Sequence, residues 1–221
     1  EPRALGLIRN ALRFGFKRQG LLIPPACQAG AFLRSSADVT RPDAQINYTP
    51  AAGRLNAAGR IYTVPGTTAT VCNLRPSSRG SVHIRTPFPD YPPAIRANYL
   101  STEEDRRVTI EAVKRVREIF ASSVFDGFRD DEILPGPHCD SDEKILAYIR
   151  RSAGSVYHPV GTCAMGRDDF AVVDHRLRVH GLEGLRIADA SVIPRIISGN
   201  TNALCVAIGE KAADMLIEDH E

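Results

Sequence analysis

The chain has 221 residues, 43% of them hydrophobic and 24% charged, with a formal net charge of +2. That is apolar material for one large domain or two small ones with a real core, and a charge too near zero to make a nucleic-acid binder by its field alone. No apolar run approaches the length that crosses a bilayer, and the five cysteines, scattered and without a CxxC pair, argue against a disulfide framework or structural zinc and for a reducing compartment.

Residues 3–18 place Leu5, Ile8, Ala11 and Leu12 at helical spacing among Arg3, Arg9, Arg13, Lys17 and Arg18. This predicts a basic amphipathic helix. It reads as a surface helix with a solvated charged face; the alternative is a helix on a membrane surface. Gly20 to Pro25 ends the pattern. Over 26–66, Pro42, Pro50, Gly53, Gly59, Pro65 and Gly66 punctuate short apolar pieces such as Ile46-Asn47-Tyr48, which predicts short strands and loops. Residues 68–75 and 81–86 carry Val71, Val82 and Ile84 in strand-like alternation, with His83 on the opposite, exposed side. Pro76-Ser77-Ser78-Arg79-Gly80 between them reads as a turn, so an antiparallel hairpin is expected.

A helix is predicted at about 102–120, with Ser101 and Glu104 as a capping box. Glu103, Glu104 and Asp105 suit its positive end, and Lys114, Arg115 and Arg117 its negative end. Val108, Ala112, Val113, Val116 and Phe120 form its apolar face. Residues 142–152 repeat the logic: Ser141 caps, Ile145, Tyr148 and Ile149 bury, Arg150 and Arg151 close, and Gly154 is placed for a left-handed exit. His138-Cys139-Asp140 has no further ligand group at metal-site spacing and reads as a polar loop.

The last third suggests short strands at 176–180 and 184–188, split by Gly181-Leu182-Glu183. A helix over about 201–217 follows, with Leu204, Ile208, Ala212 and Met215 as its core stripe. Ala203 to Ile208 is apolar all round, so its first turns are expected to be buried on every side. Gly209 costs about 1 kcal/mol relative to alanine inside a helix, so a close neighbour is expected there. A buried helix start leaves N–H groups without partners. Asn200 is expected to cap one; the rest, with the dipole and the polar atoms of Asn200, Thr201 and Asn202, form either a site for negative charge or a well-capped core helix.

Between these lies Ser155–Gly166, SVYHPVGTCAMG, with neither helical stripe nor strand alternation. A metal site joining His158 to Cys163 and to His175 or His180 fits no familiar zinc spacing. A Cys163 nucleophile activated by His158 lacks an orienting carboxylate. A general base needs only a fixed imidazole and a proton to take, and Pro159 restrains the backbone before it. Pattern alone leaves a general base and a structural histidine both open.

Tyr157-His158-Pro159-Val160-Gly161-Thr162-Cys163-Ala164-Met165-Gly166 resembles the C-terminal signature of the glucose–methanol–choline family of flavin-dependent oxidoreductases. So do Val173-Asp174, Leu177-Arg178-Val179-His180-Gly181, Leu185-Arg186-Ile187-Ala188-Asp189-Ala190-Ser191 and Ser198-Gly199-Asn200-Thr201-Asn202-Ala203. Upstream, Leu74-Arg75-Pro76-Ser77-Ser78-Arg79-Gly80 and Asn98-Tyr99-Leu100-Ser101 also match. Choline-dehydrogenase-like alcohol dehydrogenases look most similar.

The resemblance implies oxidation of a small primary alcohol to an aldehyde with FAD, and no metal. It places the proton-accepting histidine at His158 and its hydrogen-bonding partner at Asn200. It sets Asp189 and Ala190 by the cofactor's phosphate and ribityl portion, and Thr201 and Asn202 at the edge of the flavin ring. The implied fold is α+β: an antiparallel sheet with flanking helices as the substrate lobe over 1–150, and 151–221 completing a Rossmann-like FAD lobe. Three departures stand out. No GxGxxG follows a strand. Leu204 and His175 occupy positions usually held by proline. Gln28 stands where choline-like relatives are expected to carry glutamate, which weakens the case for a cationic substrate. The expectation is therefore the C-terminal portion of a longer chain, lacking its N-terminal FAD-binding part, cytoplasmic or peripherally membrane-associated. The alternative is a non-catalytic truncated product, or a half-protein that needs a separate N-terminal partner.

Overall fold

Proline and glycine punctuation keeps the strands of the first third short, while capped amphipathic runs set the helices that follow. The structure, a computed structural model, describes residues 3–18, 27–55, 61–64 and 66–220. Four α-helices are found there: α1 Arg3–Lys17, α2 Glu103–Phe120, α3 Asp142–Ser152 and α4 Asn202–Glu218. The strands are β1 Ala29–Leu33, β2 Ala44–Thr49, β3 Ala52–Leu55, β4 Ile61–Val64, β5 Thr68–Asn73, β6 Ser81–His83 and β7 Ala94–Arg96. The expected breaks at Gly20 to Pro25, Gly59 and Pro65 lie outside the described residues.

The chain forms two compact units, Glu1–Phe32 with Ile46–Val71, and Leu33–Gln45 with Cys72–Glu221. The first holds α1 and the antiparallel β3–β4 hairpin, in register from Ala52 opposite Val64 to Leu55 opposite Ile61. Strands β1, β2 and β5 hydrogen-bond in that order. Most of their residues belong to the first unit, and Leu33, Ala44, Gln45, Cys72 and Asn73 to the second.

The strand pairing departs from the expected hairpin: β5 pairs with β2, and β6 pairs antiparallel with β7, Val82 opposite Ile95. The reason is the segment that reads as a turn. Its Ser77 and Ser78 N–H groups each donate to the Asp105 carboxylate at 2.8 Å, which holds the segment against the start of α2. Gly80 is required there because a Cβ would lie 2.2 Å from the Arg96 carbonyl oxygen.

The same contact explains a second correction. The N-cap of α2 is Thr102, whose Oγ1 accepts the Asp105 N–H at 3.3 Å, rather than Ser101. Ser101 instead donates its N–H to the Ser78 hydroxyl, and Glu104 pairs with Arg107 at 2.7 Å. Asp105 is 2% exposed and also accepts from the Asn73 amide and the Ser77 hydroxyl. Burial alone would raise its carboxyl; hydrogen bonds from Ser78 and Ser77 outweigh burial and hold it below the usual range.

Ser141 caps α3 as expected, accepting the Lys144 N–H. The helix then leaves through an extended Ala153, and Gly154 is not left-handed. Ile110 of α2 packs with Ile145 and Ile149 of α3 and with Cys139; Val113 and Tyr148 flank them. A second cluster joins Val173, Leu177 and Val192 to Ala212 of α4, with Met165, Val179 and Ile208 around it. The strands expected at 176–180 and 184–188 are single bridges, Val173 to Val179 and Arg178 to Arg186. Leu177 and Gly181, at φ +65° and +75°, turn the chain too tightly for a ladder.

The start of α4 is not buried on every side. Val206 is 59% exposed, Ala203 and Ala207 are exposed, and nothing lies within 4 Å of a Cβ built on Gly209. Among the described residues, only the Ile208–Ala212 face of the helix meets the apolar cluster.

Candidate active site

The loop carrying His158 is braced along its length. The Tyr157 N–H donates to the Ser155 hydroxyl at 2.9 Å, and Tyr157 itself sits at φ +63°, a sparsely populated region for a side chain of its size. Pro159 follows. Gly161, at φ +87°, passes so near the Ile193 carbonyl that a Cβ would stand 3.3 Å from it. Cys163 and Met165 donate their N–H groups to the carbonyls of Ser191 and Val192 at 3.0 and 2.9 Å. Ser191 belongs to a 3₁₀ turn, Ala190–Val192, which Asp189 opens by accepting the Ser191 N–H at 2.7 Å. Hydrogen bonds from the Ser191 hydroxyl and N–H hold the Asp189 carboxyl below the usual range.

His158 is half-buried, and both ring nitrogens are engaged from the loop ahead of α4. The Asn200 amide nitrogen lies 2.7 Å from Nε2, and the Thr201 hydroxyl lies 3.0 Å from Nδ1. An amide N–H₂ only donates, so Nε2 presents its lone pair and Nδ1 carries the proton, which it donates to Thr201 Oγ1. Thr201 is 5% exposed, so its hydroxyl is not a surface group that water replaces freely. The arrangement sets the tautomer and leaves one basic nitrogen beside a polar amide, on the exposed side of the loop.

Asn200 does not cap α4. The N-cap is Thr201, in a helical conformation at φ −88° and ψ −11°, with no side-chain cap bond. The Asn200 amide is spent on His158, and one short side chain cannot serve both. The first-turn N–H groups of α4 therefore start the helix without a side-chain acceptor, with Asn202 exposed as its first residue. Arg75 tethers the same loop, its Nε donating to the Ser198 hydroxyl at 2.9 Å across 123 positions. Sequence reasoning missed this contact and the Thr201–His158 bond, because no local pattern marks partners so distant in the chain.

His158 does not serve Cys163 as a base, since its ring nitrogens go to Asn200 and Thr201. Among the described residues, no three His, Cys, Asp or Glu side chains are grouped to hold a metal. His175 and Leu204, the two positions read as departing from proline, line one apolar cavity of about 260 Å³ with Met165, Leu177, Ile208 and Met215. The two changes thus face a common space.

Residues 76–209 match the family model described as GMC oxidoreductase. The chain is 42% identical over 189 residues to the oxygen-dependent choline dehydrogenase of Escherichia coli O127:H6 (strain E2348/69 / EPEC), covering 86% of this chain and 34% of that relative. It therefore spans about a third of the length of the curated relatives it matches. Among solved structures, pyridoxine 4-oxidase from Mesorbium loti superposes with a TM-score of 0.77 at 28% identity, covering 89% of this chain and 38% of that one. Formate oxidase, at 23% identity, shares the fold with a TM-score of 0.85, covering 100% of this chain and 42% of that one.

Proposed function

Since the chain belongs to the GMC oxidoreductase family, a family of flavoproteins that carry FAD, we propose that it supplies the proton-handling residues of an enzyme that oxidises an alcohol to an aldehyde. The observation that carries this reading is the 2.7 Å approach of the Asn200 amide to His158 Nε2, with Nδ1 satisfied by Thr201. In the proposed reaction the Asn200 amide turns from Nε2 to donate to the alcohol oxygen and orient it, and the Nε2 lone pair this frees accepts the hydroxyl proton. Thr201 holds the imidazole in the tautomer that leaves Nε2 basic. Bound FAD would supply the two-electron acceptor for the hydride of the carbinol carbon, so that the alcohol would give up one proton to His158 and one hydride.

The residues present fit the cofactor in one physical respect. The uncapped N-terminus of α4 offers N–H donors and a positive dipole end beside Asn200 and Thr201, suited to an electron-accepting ring that gains negative charge. Asp189, Ala190, Thr201 and Asn202 are the residues proposed to hold FAD. Residues 151–221 are proposed to complete a Rossmann-like FAD lobe and 1–150 to form most of the substrate lobe. The dinucleotide-binding turn, absent from this sequence, then belongs to the N-terminal part of the whole protein. Choline is named for the relative; Gln28 brings no negative charge, so the substrate class proposed here is a neutral small alcohol.

The test is to express the chain together with the coding sequence upstream of it and mix it with alcohols without oxygen. Bleaching of the visible flavin band is expected, and His158→Ala is expected to slow it by about 10²–10⁴-fold. Unchanged bleaching in that variant overturns the assignment.

A further inference from the structure

Residues 193–200, the stretch that delivers Asn200 to His158, belong to no helix or strand, and α4 begins after them without a side-chain cap. Asn200 is exposed, and nothing lies within 4 Å of a Cβ built on Gly199 before it. The local hydrogen bond there is short in range, from the Gly199 N–H to the Ile197 carbonyl at 2.7 Å. A distant tie is made at Ser198, whose hydroxyl accepts from Arg75 Nε at 2.9 Å. Arg75 is the better anchored of the two. Leu74 before it is 4% exposed and donates its N–H to the Asp43 carbonyl at 2.8 Å. The Arg75 N–H donates to Asn73 Oδ1 at 2.9 Å, and the Asn73 amide donates in turn to Oδ1 of the buried Asp105 at 3.2 Å. Pro76 after it biases its backbone toward an extended conformation.

We propose that Arg75 is a positioning residue for the Asn200 amide, acting through Ser198. The inference rests on the proposed function of His158 and Asn200, and it names the group that holds their geometry. Asn200 has to turn its amide from Nε2 to the alcohol oxygen while its backbone stays in place. A displacement of about 1 Å at such a group costs on the order of 10²-fold in rate. The Arg75 guanidinium suits the task, because its bond to the hydroxyl is charge-assisted and its rigid plane fixes the direction in which Nε donates. Through Asn73 and Arg75 the carboxylate at the first turn of α2 is thus tied to the loop beside His158, all within the second unit.

The test follows flavin bleaching by alcohols without oxygen, in the chain joined to its upstream coding sequence. Arg75→Ala and Ser198→Ala are each expected to slow the limiting rate about tenfold. Because the two side chains act as one tie, the double variant is expected to fall no more than about twofold below either. Ser198→Thr keeps the acceptor and is expected to stay within about twofold of the parent. Asn200→Ala removes the amide being positioned, and in that background Arg75→Ala is expected to cost less than about twofold. Arg75 and Ser198 are exposed, so thermal unfolding of their variants is expected to match the parent and serves as the folding control. A further tenfold loss from Arg75→Ala on top of Asn200→Ala marks a role outside the amide, such as a direct effect of its charge, and overturns the proposal. So do multiplying losses in the Arg75→Ala/Ser198→Ala variant. Bleaching slowed by His158→Ala but not by Arg75→Ala overturns the tether alone, whereas bleaching unchanged by His158→Ala overturns the proposed function and the tether with it.

Discussion

At the scale of single residues, the site turns on which nitrogen of His158 is basic. Thr201 Oγ1 at Nδ1 and the Asn200 amide at Nε2 give one consistent answer. Thr201→Val removes the acceptor of the Nδ1–H and leaves that half-buried donor unpaired, so flavin reduction is expected to slow by about tenfold or more and its pH profile to shift. Thr201→Ser keeps the hydroxyl and is expected to restore both. A role for Thr201 in packing alone predicts no movement of the pH profile, so rapid-mixing reduction of the three proteins across pH decides. His158 itself was legible as a fixed histidine in a stiff loop. Asn200 as its partner was expected only from the family motif, and the Thr201 bond to Nδ1 not at all, because these residues lie 42 and 43 positions away and spacing carries no signal over that range.

At the scale of elements, Asp105 joins three pieces of structure: the end of β5, the Ser77–Ser78 segment and the first turn of α2. Its folded carboxyl titrates below the unfolded value of about 3.9. The native state therefore binds fewer protons, and the stability Asp105 contributes is fully present above that unfolded value and lost as pH falls through the folded one. Asp105→Asn is expected to cost about 1–3 kcal/mol at neutral pH and to flatten the acid limb of stability, measured by urea unfolding at pH 7 and near pH 3. The cap assignment is checked in the same way. Thr102→Ala is expected to cost about 1 kcal/mol and Ser101→Ala less than about 0.5, because only the former side chain accepts a helix N–H. The extents of α2 and α3 follow from apolar periodicity and acidic first turns, which are local. The capping residue of α2 shifted by one because Ser77 and Ser78, far upstream, claim the carboxylate that completes the turn.

At the scale of the whole molecule, α4 has an exposed flank and a start without a side-chain cap, and the chain covers 34% of the choline dehydrogenase it matches. On the proposed function, the pyrophosphate-binding turn lies elsewhere in the whole protein, so purified 1–221 is expected to retain FAD poorly. Equilibrium dialysis with an absorbance spectrum of the retained fraction measures this, and tight stoichiometric retention contradicts it. Joining the upstream sequence is expected to restore retention and to reduce the exposure of Val206, read by hydrogen exchange over α4.

Sequence alone determined the extents of the helices, through 3.6-residue periodicity, the short strands of the first third, through proline and glycine spacing, and the family, through separated motifs in order. Tertiary structure alone decided which strands pair, that β5 turns to β2 and β6 to β7, and which nitrogen of His158 is left basic. The physical reason is range. Helical periodicity is settled within about four residues of a position, whereas the capping residues of α2 and α4, strand partners, buried carboxylates and an imidazole's tautomer depend on groups that only the folded backbone brings within about 3 Å of one another.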